Sequence, residues 1–315
     1  RVRVRMQGEW RVKPAPFTYH RPDTAADAVG LLAELGDGAK LLAGGQSLVP
    51  MLSLRLAVFD DLIDISRLDE LVGIERRGDH LWIGAGTTEA AVERSTEGAL
   101  SGPVLSRASP LIGHRQIRNR GTIGGSIAHA DPAAEYPAVA LAFDAELEAV
   151  SPRGTRTIAA ADFFTGFWST ALDEDELLTG VRLPMWGTPS TRCGFAVREI
   201  ARRHGDFAIA GAAVALELDG DDRVSRAAIG LFGLGSVPLR ATAAETAATG
   251  RTLTELDADD VGRAAVADLD DVPADLHGSA AYRVRVGAVM VARAWADVAA
   301  EATGSTGSTQ GGTDG

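Results

Sequence analysis

Apolar residues recur along this chain in distinct rhythms, and each change of rhythm marks an element. Ala28, Leu31, Leu32 and Leu35 fall on one stripe at helical spacing. Thr24 stands where an N-cap belongs, Asp27 follows three residues later and Gly36 ends the stripe, which predicts a helix over 24–36. Short apolar runs at 39–43, 62–65 and 80–84 predict strands, and a helix is expected from Thr87-Thr88-Glu89 through Val92. Residues 103–112 read as a helix closed by Gly113, residues 115–120 as a basic irregular stretch, and residues 133–143 as a further helix. Runs at 145–150 and 155–158 flank Ser151-Pro152-Arg153-Gly154 as a hairpin, and a strand at 177–183 is stopped by Pro184.

The pattern changes at Pro184-Met185-Trp186-Gly187-Thr188-Pro189-Ser190, where a domain boundary is placed. Beyond it, runs at 194–200, 208–218 and 224–232 predict an antiparallel sheet, with Asp219-Gly220-Asp221-Asp222 turning between the last two. Helices are expected at 241–248, 259–268 and 277–300. The Gly/Ser/Thr-rich stretch 304–315 reads as a disordered tail, and the alternating Arg and Val of residues 1–12 as an extension outside the fold. That segment lacks the apolar centre of a secretory signal.

With 315 residues, 45% of them hydrophobic, the chain has material for two cores rather than one. A net charge of −12 argues against a nucleic-acid surface. No run approaches the ~18 apolar residues of a membrane span. A single cysteine, Cys193, excludes an internal disulfide and a cysteine-ligated iron–sulfur cluster held by this chain alone, and it suits a reducing cytoplasm. A redox centre carried here is therefore an organic cofactor or belongs to a partner.

Two glycine pairs follow apolar runs. The first lies in Ala43-Gly44-Gly45-Gln46-Ser47-Leu48, the second in Thr122-Ile123-Gly124-Gly125-Ser126. Glycine pairs turn backbone N–H groups inward without a side chain in the way, and the adjacent hydroxyls add neutral donors. Read as two bends, they suit the two sides of a diphosphate; read blandly, they are turns at strand ends. The first pair stands in a helix–strand–loop order, not the strand–loop–helix order of a Rossmann fingerprint. Gly84-Ala85-Gly86 lacks the third glycine of that fingerprint, and Glu89 there would repel a pyrophosphate, so it reads as a structural turn.

His129, Asp131 and Glu135 make a weak metal set, and Ser126 a poor nucleophile elbow. Arg115, Arg118 and Arg120 form a cationic patch, read either as a solvated loop or as a docking edge. The loop Arg202-Arg203-His204-Gly205-Asp206 lies between two strands of the second domain, where it can overhang a cofactor. Cys193 reads as a small core residue.

Lys13-Pro14-Ala15-Pro16-Phe17, Ala43 to Leu52 with Leu54-Arg55-Leu56-Ala57, Arg118 to Ser126 and His129-Ala130-Asp131-Pro132 occur in that order. With Arg202 to Ala208, they resemble the FAD-binding medium subunit of molybdenum hydroxylases, the family of aerobic carbon monoxide dehydrogenase medium chains and xanthine dehydrogenase FAD-binding subunits. The resemblance runs from about residue 13 to 300 and implies an α+β fold. Its first part is a vanillyl-alcohol-oxidase-type (PCMH) FAD-binding domain of two α+β subdomains, at 13–187. A smaller domain of antiparallel sheet and helices follows at 191–300.

The same resemblance implies non-covalent FAD between the subdomains, with Ala43, Gly44, Gly45, Gln46, Ser47 and Leu48 around one side of the pyrophosphate. Thr122, Ile123, Gly124, Gly125 and Ser126 would take the other side. His129 and Glu135 fall where relatives contact the nucleotide or ring, Leu178 at the adenine end, and Arg198 where xanthine dehydrogenases carry a lysine near the flavin. It further implies a large molybdenum-cofactor subunit and a small subunit with two [2Fe–2S] clusters, assembled as a dimer of heterotrimers. Electrons would pass from those clusters through FAD to a quinone, NAD or oxygen, with no catalytic acid or base on this chain.

The alternative is a stand-alone FAD oxidoreductase of the same superfamily, which usually carries an attachment His or Cys near the first loop; residues 40–56 hold neither. A third class, an interaction protein that has lost its cofactor, is opposed by the intact glycine pairs. The substrate of the complex stays open among carbon monoxide, a purine, an N-heterocycle and an aldehyde.

Overall fold

The computed structural model describes residues 13–97, 103–188 and 190–304. The extension at 1–12 and residues 305–315 of the expected tail lie outside them. The chain opens on a parallel three-stranded sheet of β1 (Thr18–His20), β2 (Ala39–Leu42) and β3 (Asp61–Asp64), in the order β1-β3-β2. Parallel strands need crossovers, and helix Ala25–Leu35 carries the chain from β1 to β2, the two strands that flank β3. Thr24 accepts from the Asp27 N–H at 3.0 Å, and Gly36 at φ +62° ends the helix, as its stripe predicts. Ala28, Val29 and Leu32 then pack on Ile63.

The second layer is an antiparallel sheet of β4 (Ile74–Arg77), β5 (His80–Gly84), β6 (Glu146–Ser151), β7 (Gly154–Ala159) and β10 (Leu177–Pro184), in the order β4-β5-β10-β6-β7. A small hairpin of β8 (Phe164–Gly166) and β9 (Ser169–Thr170) leads into β10. Helices inserted between β5 and β6 cover this sheet and bury Leu81, Ile83, Leu105, Ile123, Tyr136 and Phe143, each worth about 1.5–3 kcal/mol when fully removed from water.

Three local expectations differ from the structure. Residues 115–118 form a helical turn (Arg115–Arg118) rather than irregular chain, because buried Arg118 anchors it. The segment expected as one helix at 103–112 is helix Pro103–Ala108 followed by a tighter 3₁₀ turn, Ser109–Leu111. The second glycine pair lies in the first turn of helix Ile123–His129, not in a bend. Thr122 caps that helix, and Gly124 takes a position where a Cβ would stand 2.6 Å from the Ala85 carbonyl oxygen. Packing against β5's exit thus overrides glycine's poor helix propensity.

The last part is an antiparallel sheet of β11 (Arg192–Ile200), β12 (Ala210–Leu218), β13 (Val224–Phe232) and β14 (Leu239–Arg240). Period-two alternation sorts its faces. Ala196, Ala212, Val214 and Ile229 face helix Ala280–Ala302, whose Val291, Trp295 and Val298 fill a second core. Phe195, Ala213, Ala215 and Ala228 face the other way and join the core of the preceding sheet. The approach is close: a Cβ on Gly230 would stand 2.6 Å from the Ala138 carbonyl oxygen. The two parts of the chain therefore meet across helix Glu135–Ala142.

Candidate cofactor site

β2 runs directly into the first glycine motif. Gly45 takes φ +73°, a left-handed conformation that side chains resist, and Gln46 folds back to donate from Nε2 to the Gly44 carbonyl at 2.9 Å. Val49 N–H returns to the Gly45 carbonyl, starting helix Leu48–Ser53. Among the described residues, none accepts a hydrogen bond from the backbone N–H of Gly44, Gly45, Gln46, Ser47 or Leu48. Successive unclaimed N–H groups at a turn form an anion-binding concavity.

The second motif lies against the first. A Cβ on Gly44 would come within 2.6 Å of the Arg120 carbonyl carbon and 2.7 Å of Gly121 Cα. Gly44 is therefore glycine because a neighbouring backbone occupies the side-chain space. Gly125 lies in ordinary contact range of Ala43, whose Cβ is 3.7 Å from where its own would be. The donors differ, however, from the expectation of two equivalent loops. Ile123 N–H goes to the Thr87 carbonyl, Gly124 N–H to Ala85, Gly125 N–H to Thr122 Oγ1 and Ser126 N–H to the Thr122 carbonyl. The second motif offers its hydroxyls, Thr122 and Ser126, and a smooth wall, while the first offers the N–H groups.

Beside this wall, His129 stacks on Trp168 with ring centroids 5.7 Å apart and planes at 21°. Burial pushes the His129 pKa down, and Lys40 adds to this against the pull of Asp131. Trp168 stands at φ +53°, donates from Nε1 to Asp131 Oδ2 at 3.3 Å, and packs on Phe167 at the β8–β9 turn. Neither aromatic stands out in the sequence, since a lone Phe-Trp pair between two short strands carries no periodic signal. Leu178 on β10 lies in the core with Ile123 and Ile127.

Three expected contacts are placed otherwise. The Ile123 side chain is fully buried and its N–H is taken, so it supports the wall from within. Arg198 faces helix Ala280–Ala302, where its Nε donates to Asp297 Oδ2 at 2.6 Å. Strand alternation is the reason: Glu199, not Arg198, points toward helix Glu135–Ala142 and meets Glu135. Glu135 itself is buried in the seam between its helix and β11, within hydrogen-bonding reach of Glu199. Both carboxyls are pushed above the ordinary carboxylate range by burial.

Arg118 pairs with Glu93 at 2.8 Å and donates to the carbonyls of Ile112 and Gly113, so only Arg115 and Arg120 of the patch are exposed. Gly205 at φ +78° brings the 202–206 loop against Gly113, with the His204 and His114 rings 6.2 Å apart. Among the described residues, no group of three His, Cys, Asp or Glu is arranged to hold a metal ion. Cys193 is half-buried, its thiol pushed up to about 12 by burial.

An N–H-lined loop on a small parallel sheet, closed by a helix of a second α+β layer and backed by a third sheet, defines a two-domain nucleotide-binding protein. Known proteins narrow this. Residues 15–186 match the FAD binding domain in molybdopterin dehydrogenase, and residues 195–298 the CO dehydrogenase flavoprotein C-terminal domain. The 6-hydroxypseudooxynicotine dehydrogenase complex subunit alpha of Paenarthrobacter nicotinovorans is 43% identical, covering 90% of this chain and 94% of its own. The carbon monoxide dehydrogenase medium chain of Afipia carboxidovorans is 41% identical, covering 89% and 96%. A solved structure of carbon monoxide dehydrogenase from Hydrogenophaga pseudoflava, lacking the Mo-pyranopterin moiety of its cofactor, superposes with a TM-score of 0.87. It is 40% identical and covers 92% of this chain and 99% of that one. The chain belongs to the FAD-binding medium-subunit family of carbon monoxide and xanthine dehydrogenase-type molybdenum hydroxylases. It is an oxidoreductase subunit with an FAD-binding domain.

Proposed function

We propose that this chain is the electron-transfer subunit of its complex, taking electrons from [2Fe–2S] clusters on a small partner and passing them to an external acceptor. The observation that carries the reading is the run of free N–H groups from Gly44 to Leu48, laid against the Thr122–Ser126 helix turn. A diphosphate matches that donor set, since hydrogen bonds from neutral donors to a charged oxygen contribute about 1.5–3 kcal/mol each. Thr122 and Ser126 would hold the far side through their hydroxyls. His129 on Trp168 gives an aromatic wall for a flat ring, and burial keeps that imidazole neutral.

FAD, when bound, stores two electrons and releases them singly or in pairs; this chain's residues bind it and orient it. Attachment is non-covalent, because residues 40–56 offer no His or Cys to form a bond. One cysteine cannot hold a cluster, which supports placing the clusters and the molybdenum cofactor on separate small and large subunits. The relatives' names, a medium chain and a subunit alpha of a complex, support the same division of labour. A dimer of heterotrimers is the assembly we propose for it, and 13–187 and 191–300 are its two domains.

The test is direct. The full chain purified with FAD and freed of unbound nucleotide shows a flavin spectrum, and acid precipitation releases all the flavin into solution. A colourless protein that ignores added FAD overturns the reading.

A further inference from the structure

Glu89 begins helix Glu89–Arg94, yet it is 4% exposed and its Oε2 is buried with no hydrogen-bond partner. An acidic residue at a helix start ordinarily stands in water, where it complements the helix dipole. Among the described residues, the cation that acts on it is spent elsewhere: Arg118 is directed onto Glu93 at 2.8 Å. The Glu89 carboxyl instead fills the space beneath Gly121, with Oε1 and Oε2 at 2.6 and 2.7 Å from where a Cβ on that glycine would be. Gly121 in turn touches Gly44. A single residue thus separates an unpartnered buried carboxyl from the N–H-lined loop.

Among the described residues, the other groups that act together with this carboxyl supply it with no positive charge. Glu135 and Tyr136 come from helix Glu135–Ala142, and Glu135 in turn shares a hydrogen bond with Glu199 of β11, which requires a proton between those two carboxyls. Tyr136 bonds to Ser109 Oγ at 2.7 Å. Arg120 is exposed and acts on Asp64.

We propose that Glu89 is a proton-controlled guard of the cofactor site. With its proton on, the floor under Gly121 is neutral and admits a diphosphate; with its proton off, a buried negative charge lies behind the loop and FAD is held less tightly. Burial pushes Glu89 up to about 7, against the weaker pull of Arg118, so the change falls near neutrality. The sign follows: the diphosphate stays ionised throughout, Glu89 is neutral below its pKa, and affinity falls as pH rises through about 7. By reciprocity, FAD binding raises the proton affinity of Glu89 and takes up protons at neutral pH.

This inference rests on FAD occupying the glycine motifs, and the experiment separates the two. Flavin-free full chain is titrated with FAD by fluorescence quenching from about pH 6 to about pH 8.5. The wild type loses affinity by about tenfold across that range, of the order expected for two charges separated by a residue in a partly dry site. Glu89→Gln, with no charge to lose, holds FAD with a flat profile and matches the acid-side affinity. Should that variant fail to fold, the wild type still decides. Its infrared difference spectrum loses a carboxylic-acid C=O band near neutral pH that persists in Glu199→Gln and so belongs to Glu89 rather than to the Glu135–Glu199 pair, and FAD moves that midpoint upward. FAD binding that is independent of pH, a Glu89→Gln profile as steep as wild type, or an acid band that FAD does not shift overturns the guard while leaving the cofactor assignment standing. No FAD binding at any pH overturns both.

Discussion

Gly44→Ala tests the cofactor site most sharply, because the position has no room yet makes no contact through a side chain. The added methyl would meet the Arg120 carbonyl carbon at 2.6 Å and Gly121 Cα at 2.7 Å. Restoring an ordinary contact of 3.4 Å requires the two motifs to part by roughly 1 Å. Both obstacles are backbone, which cannot rotate aside as a side chain would. Hydrogen bonds to charged oxygens contribute about 1.5–3 kcal/mol each, so misplacing two of the N–H groups costs about 3 kcal/mol or more. That is a loss of at least about a hundredfold in Kd.

The assay is fluorescence titration of the flavin-free chain, with circular dichroism to show that the fold persists. Gly30→Ala is the control. Its Cβ meets nothing within 4 Å, and in the middle of helix Ala25–Leu35 it should stabilise the chain by about 1 kcal/mol with no change in FAD affinity. Wild-type affinity in Gly44→Ala would refute the claim that contact between the motifs shapes the site.

Other outcomes follow from the same geometry. Arg118→Ala leaves half-buried Glu93 without its partner and strips two carbonyls of a donor, so thermal unfolding should show about 2 kcal/mol of lost stability. Arg198→Ala removes a half-exposed pair with Asp297 on the far face of the sheet, and it should leave FAD affinity unchanged with less than about 1 kcal/mol of stability lost. Weakened FAD binding in that variant would restore Arg198 to the site. Trp168→Ala uncovers His129, whose depressed pKa should climb back toward 6.5 in an NMR titration, because burial is the leading cause of its depression.

The order of elements was legible because local signals agree with the fold. Thr24 and Gly36 bracket a helix, Ser151 to Gly154 turn a hairpin, and the alternating run at 194–200 makes an edge strand of the last sheet. The glycine motifs and the family were legible too, and the composition already excluded clusters on this chain. These features depend on residues close together in the chain, where backbone preference and periodicity act directly.

What the tertiary structure decided is which atoms remain available. Residue identity makes the two glycine pairs look equivalent, yet the Ala85 carbonyl claims the Gly124 N–H and Thr122 Oγ1 claims that of Gly125, while the first pair's stay free. Arg198 and Glu199 are adjacent in sequence, but the register of β11 between helix Ala280–Ala302 and helix Glu135–Ala142 sends them to opposite faces. Glu89 reads as a residue that would repel a pyrophosphate; burial beneath Gly121 is what makes its charge conditional. Availability and ionisation depend on neighbours distant along the chain, and those neighbours are set only when the layers pack.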